Sequence, residues 1–309
     1  NATFIDNFVF HNNFINNNYS FIYDFTGNFW DNGYPSGGNY WSDYNGTDLH
    51  SGSYQNETGS DGIGDTPYAV GTADFDRYPL VNPWSTLPVH NINTGIGYNT
   101  IQEAIGAAET LDRHVLWVDS GTYYENVNVT KSLTLLGEDP AVTIIDGANT
   151  GTVLTLSADN TEITGFTIRN SGSNYPPYGM DCGIFLNHTS RSRIRQNLVV
   201  NNRIGIYLFF SESAIIENNN VSSNLENGIC LWCSGNNTLK ENKMMNNAYN
   251  FGVFGSNFSE FYNNIDTSNT VNDKSVQFII NADNRVFDSQ TNMGVLYLVN
   301  CVNITARDL

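Results

Sequence analysis

The chain is short of basic residues: 13 Lys and Arg stand against 31 Asp and Glu in 309 residues, a net charge of -18 at pH 7. Phosphate backbones are gripped by clustered Lys and Arg, so a nucleic-acid partner is not expected. Charged residues of both signs make up only 14% of the chain, and long charged helix formers are scarce, which argues against an α-rich fold. No apolar run approaches the ~20 residues that span a bilayer, and residues 1–6 lack signal-peptide character, so no membrane span is expected in this chain.

What is abundant is asparagine, roughly one residue in seven, together with a spaced glycine register at Gly183, Gly205, Gly228 and Gly252. Each of these glycines opens a short apolar run (Gly-Ile-Phe-Leu, Gly-Ile-Tyr-Leu, Gly-Ile-Cys-Leu, Gly-Val-Phe), and repeats of roughly 23 residues mark a solenoid. The unit is too short for a βαβ crossover and alternates apolar with polar residues, so each reads as one coil of short strands. Asparagines follow at Asn197, Asn218–Asn219, Asn242 and Asn263–Asn264, and again at Asn201–Asn202, Asn224, Asn246–Asn247 and Asn269. Asparagine tolerates left-handed backbone and bonds to itself across stacked coils, so the expected fold is all-β, a right-handed parallel β-helix with Asn above Asn. Ile184, Ile206, Ile229 and Val253 are expected in one inward column.

The four cysteines, Cys182, Cys230, Cys233 and Cys301, fit packing better than chemistry. Two coils put Cys182 roughly 9–10 Å from Cys230, beyond disulfide reach. Cys230 and Cys233 face opposite sides of a strand, and a single Cys-X-X-Cys is a weak zinc signal. His11, His50, His90, His114 and His188 form no ligand spacing.

Three segments are expected. Residues 1–27, with Phe4, Phe8, Phe10 and Phe14 among asparagines, read as closing coils of a preceding module; residues 28–87 form a Gly, Asp and aromatic-rich loop segment; residues 88–309 form the long β-helix. Thr100-Ile-Gln-Glu103 is a capping box, and Ile101, Ala104, Ile105, Ala108 and Leu111 give an amphipathic helix over 100–110, a lid for the first coil.

Asn-Phe-Trp-Asp-Asn-Gly (28–33), Gly-Asn-Tyr-Trp-Ser-Asp-Tyr (38–44), Asp-Gly-Ile-Gly-Asp-Thr-Pro-Tyr (61–68), Asp-Arg-Tyr-Pro-Leu (76–80), Thr-Ile-Gln-Glu-Ala-Ile (100–105), Gly-Thr-Tyr-Tyr-Glu-Asn (121–126) and Lys-Ser-Leu-Thr-Leu-Leu-Gly (131–137) occur in this order. With them the chain resembles the extracellular right-handed parallel β-helix surface proteins of archaea. That family is pectin-lyase-like, with carbohydrate-binding and sugar-hydrolase type repeats, and is related to the periplasmic copper-maturation protein of nitrous oxide reductase. The resemblance implies a fold and a cell-surface setting; its superfamily hosts lyases, glycosidases, adhesins and scaffolds. Relative to that family the closing part precedes the opening part.

Candidate sites follow. Asp61 and Asp65, with Asp43 and Asp48, have the carboxylate spacing of a calcium loop, and Asp-Gly pairs are equally turn formers. Ten sequons, at Asn1, Asn18, Asn45, Asn56, Asn128, Asn187, Asn220, Asn236, Asn257 and Asn303, are glycosylation candidates. Arg191, Arg193 and Arg195, with Arg203 nearby, read as a solvated strand face rather than a lyase base. No paired carboxylates of a glycosidase stand out. Phe209, Phe210, Trp232, Tyr249, Phe251 and Phe254 are core by default, or else a glycan-stacking face or a subunit contact.

The function expected is a non-enzymatic structural building block that assembles head-to-tail with itself into a filament, sheath or surface layer. Its contacts would be Phe4, Phe8, Phe10 and Phe14 at one end and Val302 and Ile304 at the other. A glycan-binding adhesin is the second reading, and a polysaccharide lyase or glycoside hydrolase the third.

Overall fold

The computed structural model describes residues 6–16, 27–71, 74–174, 180–289 and 291–308; the expected positions Asn1, Phe4 and Asn18 lie outside them. The chain divides into two compact units, Asn1–Val118 and Asp119–Leu309.

The second unit is a parallel β-helix. Gly121–Tyr124, Thr143–Asp146, Thr167–Arg169, Leu198–Val200, Asn220–Ser222, Lys243–Met245 and Thr270–Val271 form one parallel sheet. Val127–Val129, Leu154–Leu156, Cys182–Asn187, Ile204–Phe209, Asn227–Trp232 and Tyr249–Phe254 form a second. Thr134–Gly137, Glu162–Thr164, Arg193–Arg195, Ile215–Glu217, Thr238–Lys240 and Asn264–Ile265 stack as a third face. Alternate residues point inward, and Ile145, Ile163, Ile168, Ile184, Ile194, Val199, Ile206, Ile216, Val221 and Ile229 are completely buried.

The corners hold the coils together. At three successive corners one residue adopts a left-handed conformation, Gln196 (φ 55°), Asn218 (55°) and Glu241 (57°), and the next residue turns its side chain inside. Those inward residues are Asn197, Asn219 and Asn242; buried Asn269 extends the stack by one more coil, and each amide bonds the next. Asn197 donates from N and Nδ2 to Asn219 Oδ1 (3.1 and 3.2 Å), Asn219 to Asn242 Oδ1 (3.1 and 3.0 Å), and Asn242 to Asn269 Oδ1 (3.2 and 2.8 Å). Each Nδ2 also donates to a backbone carbonyl of the preceding coil: Ile163, Ile194 and Ile216 in turn. Both donors and the oxygen are thus used, which a carboxylate without N–H groups or a hydroxyl with one could not do.

A second ladder, Asn202, Asn224 and Asn247, explains the glycines. A Cβ on Gly183, Gly205 or Gly228 would lie 2.7, 3.0 or 2.7 Å from the Nδ2 of Asn202, Asn224 or Asn247, and 2.8, 2.5 or 2.5 Å from a backbone carbonyl of the next coil. Gly252 does not belong to this column. Gly228 lies opposite position 250, and Asn250 there takes the last amide of the ladder, accepting from Asn247 N and Nδ2 at 3.2 and 2.8 Å. The inward column therefore runs Ile184, Ile206, Ile229 and Phe251, with Val253 stacked on Leu231, a two-residue correction to the expected column. Asn263 likewise joins a third corner with Asn237, and Asn269 continues the first ladder rather than the second.

Parallel stacking stops at Val271. Residues 271–274 make a hairpin, with Asn272 and Asp273 at positive φ, so Lys274–Ile280 runs antiparallel to Thr270–Val271. Lys274–Ile280 then pairs in parallel with Met293–Val299, and Val286–Phe287 with Thr305–Ala306. This end differs from the uniform coils expected up to residue 309.

The first unit reuses the same device. Asn13–Phe14 pairs in parallel with Tyr40–Trp41, and Asn12 donates from N and Nδ2 to Asn39 Oδ1 at 3.1 and 3.0 Å. Here a carboxylate ends the ladder: Asp76 Oδ2 accepts from Asn39 N (2.7 Å) and Trp41 Nε1 (2.9 Å). Trp30, Trp41 and Val70 form a core cluster with half-buried Phe14 packed against it. Val89–Asn91 pairs antiparallel with Ile96–Tyr98 and Val115–Val118, where a first parallel coil was expected. The helix is Ile101–Gly106, capped by Thr100 Oγ1 on Glu103 N at 3.1 Å, and buries Ile101, Ala104 and Ile105. It stops short of 110 because Ala107 leaves helical geometry (φ -58°, ψ 141°), which leaves Ala108 and Leu111 exposed.

The three adjacent asparagines 218–220 separate these roles. Replacing Asn219 by Ala orphans the donors of Asn197 and should cost about 3–5 kcal/mol. Asn218→Ala strains a left-handed position, about 1 kcal/mol, and exposed Asn220→Ala should cost under about 0.5 kcal/mol. Urea unfolding followed by far-UV circular dichroism checks the order; equal effects at 219 and 220 contradict it.

Candidate functional site

The acidic loop lies in the first unit. Asp48 accepts from Ser60 Oγ (2.7 Å), Asp61 N (3.0 Å) and Gly62 N (2.9 Å). Asp65 accepts from Thr47 Oγ1 (3.0 Å), Leu49 N (3.1 Å), His50 N (3.0 Å) and His50 Nδ1 (3.3 Å), and Asp43 accepts from Tyr68 OH (3.0 Å). Asp61 accepts from Ile63 N and Gln55 Nε2, both at 3.1 Å. The four carboxylates expected around one cation are thus each engaged by separate loop donors. Among the described residues no three His, Cys, Asp or Glu side chains converge as metal ligands.

Burial sets the protonation of this loop. Loss of solvent pushes Asp61 up to about 6, opposed by hydrogen bonds from Gln55 and Ile63 and helped by the nearby Asp48 charge. Burial likewise pushes Asp76 up to about 6 against the Trp41, Asn39 and Tyr78 hydrogen bonds. For Asp65 the backbone donors Leu49 and His50 outweigh desolvation, the largest single influence, and hold it below the usual carboxylate range.

The sequons divide cleanly from the ladders. Asn45, Asn56, Asn128, Asn220, Asn236, Asn257 and Asn303 are exposed and Asn187 is half-buried, whereas ladder residues Asn197, Asn202, Asn219, Asn224 and Asn242 are buried and none is a sequon.

Of the aromatics assigned to core by default, only Phe251 is buried. Phe210, Trp232, Tyr249 and Phe254 are exposed: Tyr249, Trp232 and Phe254 are at strand ends, and Phe210 follows Ile204–Phe209 in left-handed backbone. Two members of the Arg stripe and its neighbour Arg203 are paired across coils: Arg195 with Glu162 (2.6 Å), Arg191 with Asp159 (3.9 Å) and Arg203 with Glu226 (2.5 Å). A base held in such pairs is poorly placed to abstract a proton from a polysaccharide. All four cysteines are free; burial raises the Cys182 thiol well above its ordinary value and Cys230 to about 12, so neither is a ready thiolate.

The fold and ladders define an asparagine-laddered parallel β-helix. The sequence profile described as "Periplasmic copper-binding protein (NosD)" matches residues 104–300, and the chain belongs to that family. A cell surface glycoprotein of Methanothermus fervidus is 32% identical over 185 residues, which cover 57% of this chain and 29% of that relative. Among solved structures, pectin methylesterase from Yersinia enterocolitica has a TM-score of 0.40 at 16% identity over 48% of this chain and 55% of its own. The Agl-KA catalytic domain gives 0.41 at 15% identity, covering 61% of this chain and 37% of its own. At these scores no activity or site is carried across. The copper named in the family description does not fit the residues present: two buried and two half-buried thiols and the dispersed histidines offer no converging donor set among the described residues.

Asp61 gives the pH prediction. A carboxyl whose folded pKa is about 6, against about 3.9 unfolded, stabilises fully below the unfolded value and loses that contribution as pH rises through the folded one. The first unit should therefore lose roughly 2 kcal/mol per such group between about pH 4 and 7. Gln55 Oε1 is buried without a hydrogen bond among the described residues, so a reversed Gln55 amide can accept from the amide of Asp61→Asn. Thermal melts of that variant should show a flatter pH profile at unchanged or higher stability near pH 7; an unaltered profile contradicts the assignment.

Proposed function

We propose that the chain is part of an extracellular, cell-surface protein and serves there as a structural building block whose β-helix ends join copies head-to-tail. The observation that carries this reading is the open edge of the second unit. Met293–Val299, seven residues long and largely apolar, ends its nine-stranded sheet, with Leu298 42% exposed and Val302 after it 64% exposed. Ile304 is half-buried beside it. A long apolar edge strand with free backbone groups is a template for another strand.

The first unit offers a matching face. The Asn7–Phe14 layer has Phe8 62% exposed and stacked on Phe29 at 4.7 Å, with Phe10 half-buried. Asparagine pairs run out to both ends: Asn7 Nδ2 donates to Asn28 Oδ1 and Asn12 Nδ2 to Asn39 Oδ1 in the first unit, and Asn300 Nδ2 donates to Asn281 Oδ1 and Asn303 Nδ2 to Asn284 Oδ1 at the end of the second. The surface relative and the exposed sequons support an extracellular setting with N-linked glycans. No helix in the described residues is long and apolar enough to cross a membrane. The reading is non-enzymatic.

Light scattering on the purified chain tests it. Mass should rise with concentration into open, head-to-tail polymers visible by electron microscopy. Leu298→Lys, which charges the edge strand, should leave monomers with unchanged circular dichroism, and deletion of residues 1–27, which also strips Phe14 from the Trp30 cluster, should leave no polymers. Monomeric wild type at all concentrations, or polymers undiminished by both changes, contradicts the assembly.

A further inference from the structure

We infer that the second unit carries a binding groove for a neutral oligosaccharide, formed at the corner that follows the second sheet. The left-handed positions of three successive coils are His188 (φ 54°), Phe210 (46°) and Cys233 (49°), where the other corners use Gln196, Asn218 and Asn201. A bulky ring in left-handed backbone is an uncommon and costly placement that the structure sustains here in consecutive coils. Thr189, Ser211 and Ser234 follow them inside, and Thr189 N and Ser211 N donate to the hydroxyl of the next coil at 3.1 and 3.0 Å, which fixes the corner.

The result is an ordered aromatic face. The His188 and Phe210 rings stack at 5.3 Å and 8°, Phe209 meets Phe210 edge-on at 4.7 Å, and exposed Trp232 and Phe254 lie 5.5 Å apart on the next two coils. Beside it lies a groove of about 510 Å³ lined by Asp159, Glu212, Asn236 and Glu260 together with His188 and Phe210; because Asn236 is also a sequon, the binding test uses chain without a glycan at that position. Its lining comes from five successive coils, so at about 4.8 Å per coil it runs roughly 19 Å, the length of a short oligosaccharide.

The chemistry selects the ligand. Glu260 is held by Ser256 N (2.5 Å) and by Asn257 N (3.2 Å) and Nδ2 (3.0 Å), and Asp159 by Ser190 N (2.8 Å), so the acceptors are fixed in place. Pyranose hydroxyls donate to such carboxylates while the apolar face of the ring packs on an aromatic side chain. Among the described lining residues are three carboxylates, Asp159, Glu212 and Glu260, and no Lys or Arg; Arg191 pairs with Asp159 at 3.9 Å, which leaves the groove net negative and disfavours uronates and phosphates. This inference is independent of the assembly reading, since the groove lies on the flank of the coils.

Isothermal titration and NMR shift mapping with mannotriose, cellotriose and triacetylchitotriose, with trigalacturonate and tetralysine as charged contrasts, test it. At least one neutral trisaccharide should bind at up to millimolar concentration, with shifts confined to the groove. Phe210→Asn, which keeps a residue tolerant of left-handed backbone, should weaken binding at least tenfold and Glu212→Gln several-fold, while Tyr249→Ala, outside the groove, should not change it. Absence of neutral-sugar binding, preference for trigalacturonate or tetralysine, or indifference to Phe210→Asn overturns the assignment.

Discussion

The constraint on which the structure depends is the need to satisfy buried backbone and side-chain polar groups where each coil turns a corner. A tight corner brings carbonyls into the interior, out of reach of the strand ladder, and an unpaired buried polar group costs about 1–3 kcal/mol. Asparagine solves this because one amide carries two donors and an oxygen that accepts twice. The stack Asn197, Asn219, Asn242 and Asn269 uses all of them. The ladder in turn forces its neighbours: Gly183, Gly205 and Gly228 are glycine because the amides of the second ladder and a facing carbonyl occupy the space of a Cβ. Composition, repeat length and glycine register are thus consequences of one interaction.

Ends of ladders show the same rule under different solutions. In the second unit Asn250 moves into the glycine column and supplies the terminal oxygen. In the first unit Asp76 does so, accepting from Asn39, Trp41 and Tyr78 with both oxygens, a set of donors that only a carboxylate matches. Gly38 is again the residue that leaves room, since a Cβ there would lie 1.9 Å from Asp76 Oδ1. The cost of that choice is a buried carboxyl shifted to about 6 by desolvation.

Much of this was legible in the sequence, since Asn and Gly recur at the coil period and period-2 alternation gives the inward residues. The errors came where the period breaks. Gly252 sits 24 residues after Gly228 and reads as the next glycine, yet Asn250 takes that place; a count of spacing cannot distinguish the two without the amide it must meet. The hairpin at 271–274 was missed although Val-Asn-Asp-Lys is turn-forming, because asparagine occurs at nearly every corner and its signal is diluted. The helix ran short for a similar reason: apolar spacing continues to Leu111, but the chain turns away at Ala107. The candidate sites were the least legible. Asp43, Asp48, Asp61 and Asp65 have cation-like spacing in sequence, and the fold directs each to a different set of donors. Phe210 reads as core until the corner that exposes it is seen.

The central claim, that buried asparagine amides are the continuous tie between coils, is tested most directly by hydrogen exchange of side-chain amides. Selective ¹⁵N labelling of asparagine should reveal two populations: Nδ2 protons of Asn39, Asn197, Asn202, Asn219, Asn224 and Asn242 protected as strongly as strand backbone, and those of exposed Asn45, Asn56 and Asn220 exchanging as in a free peptide. Uniformly fast exchange of all asparagine side chains in the folded protein would contradict the account.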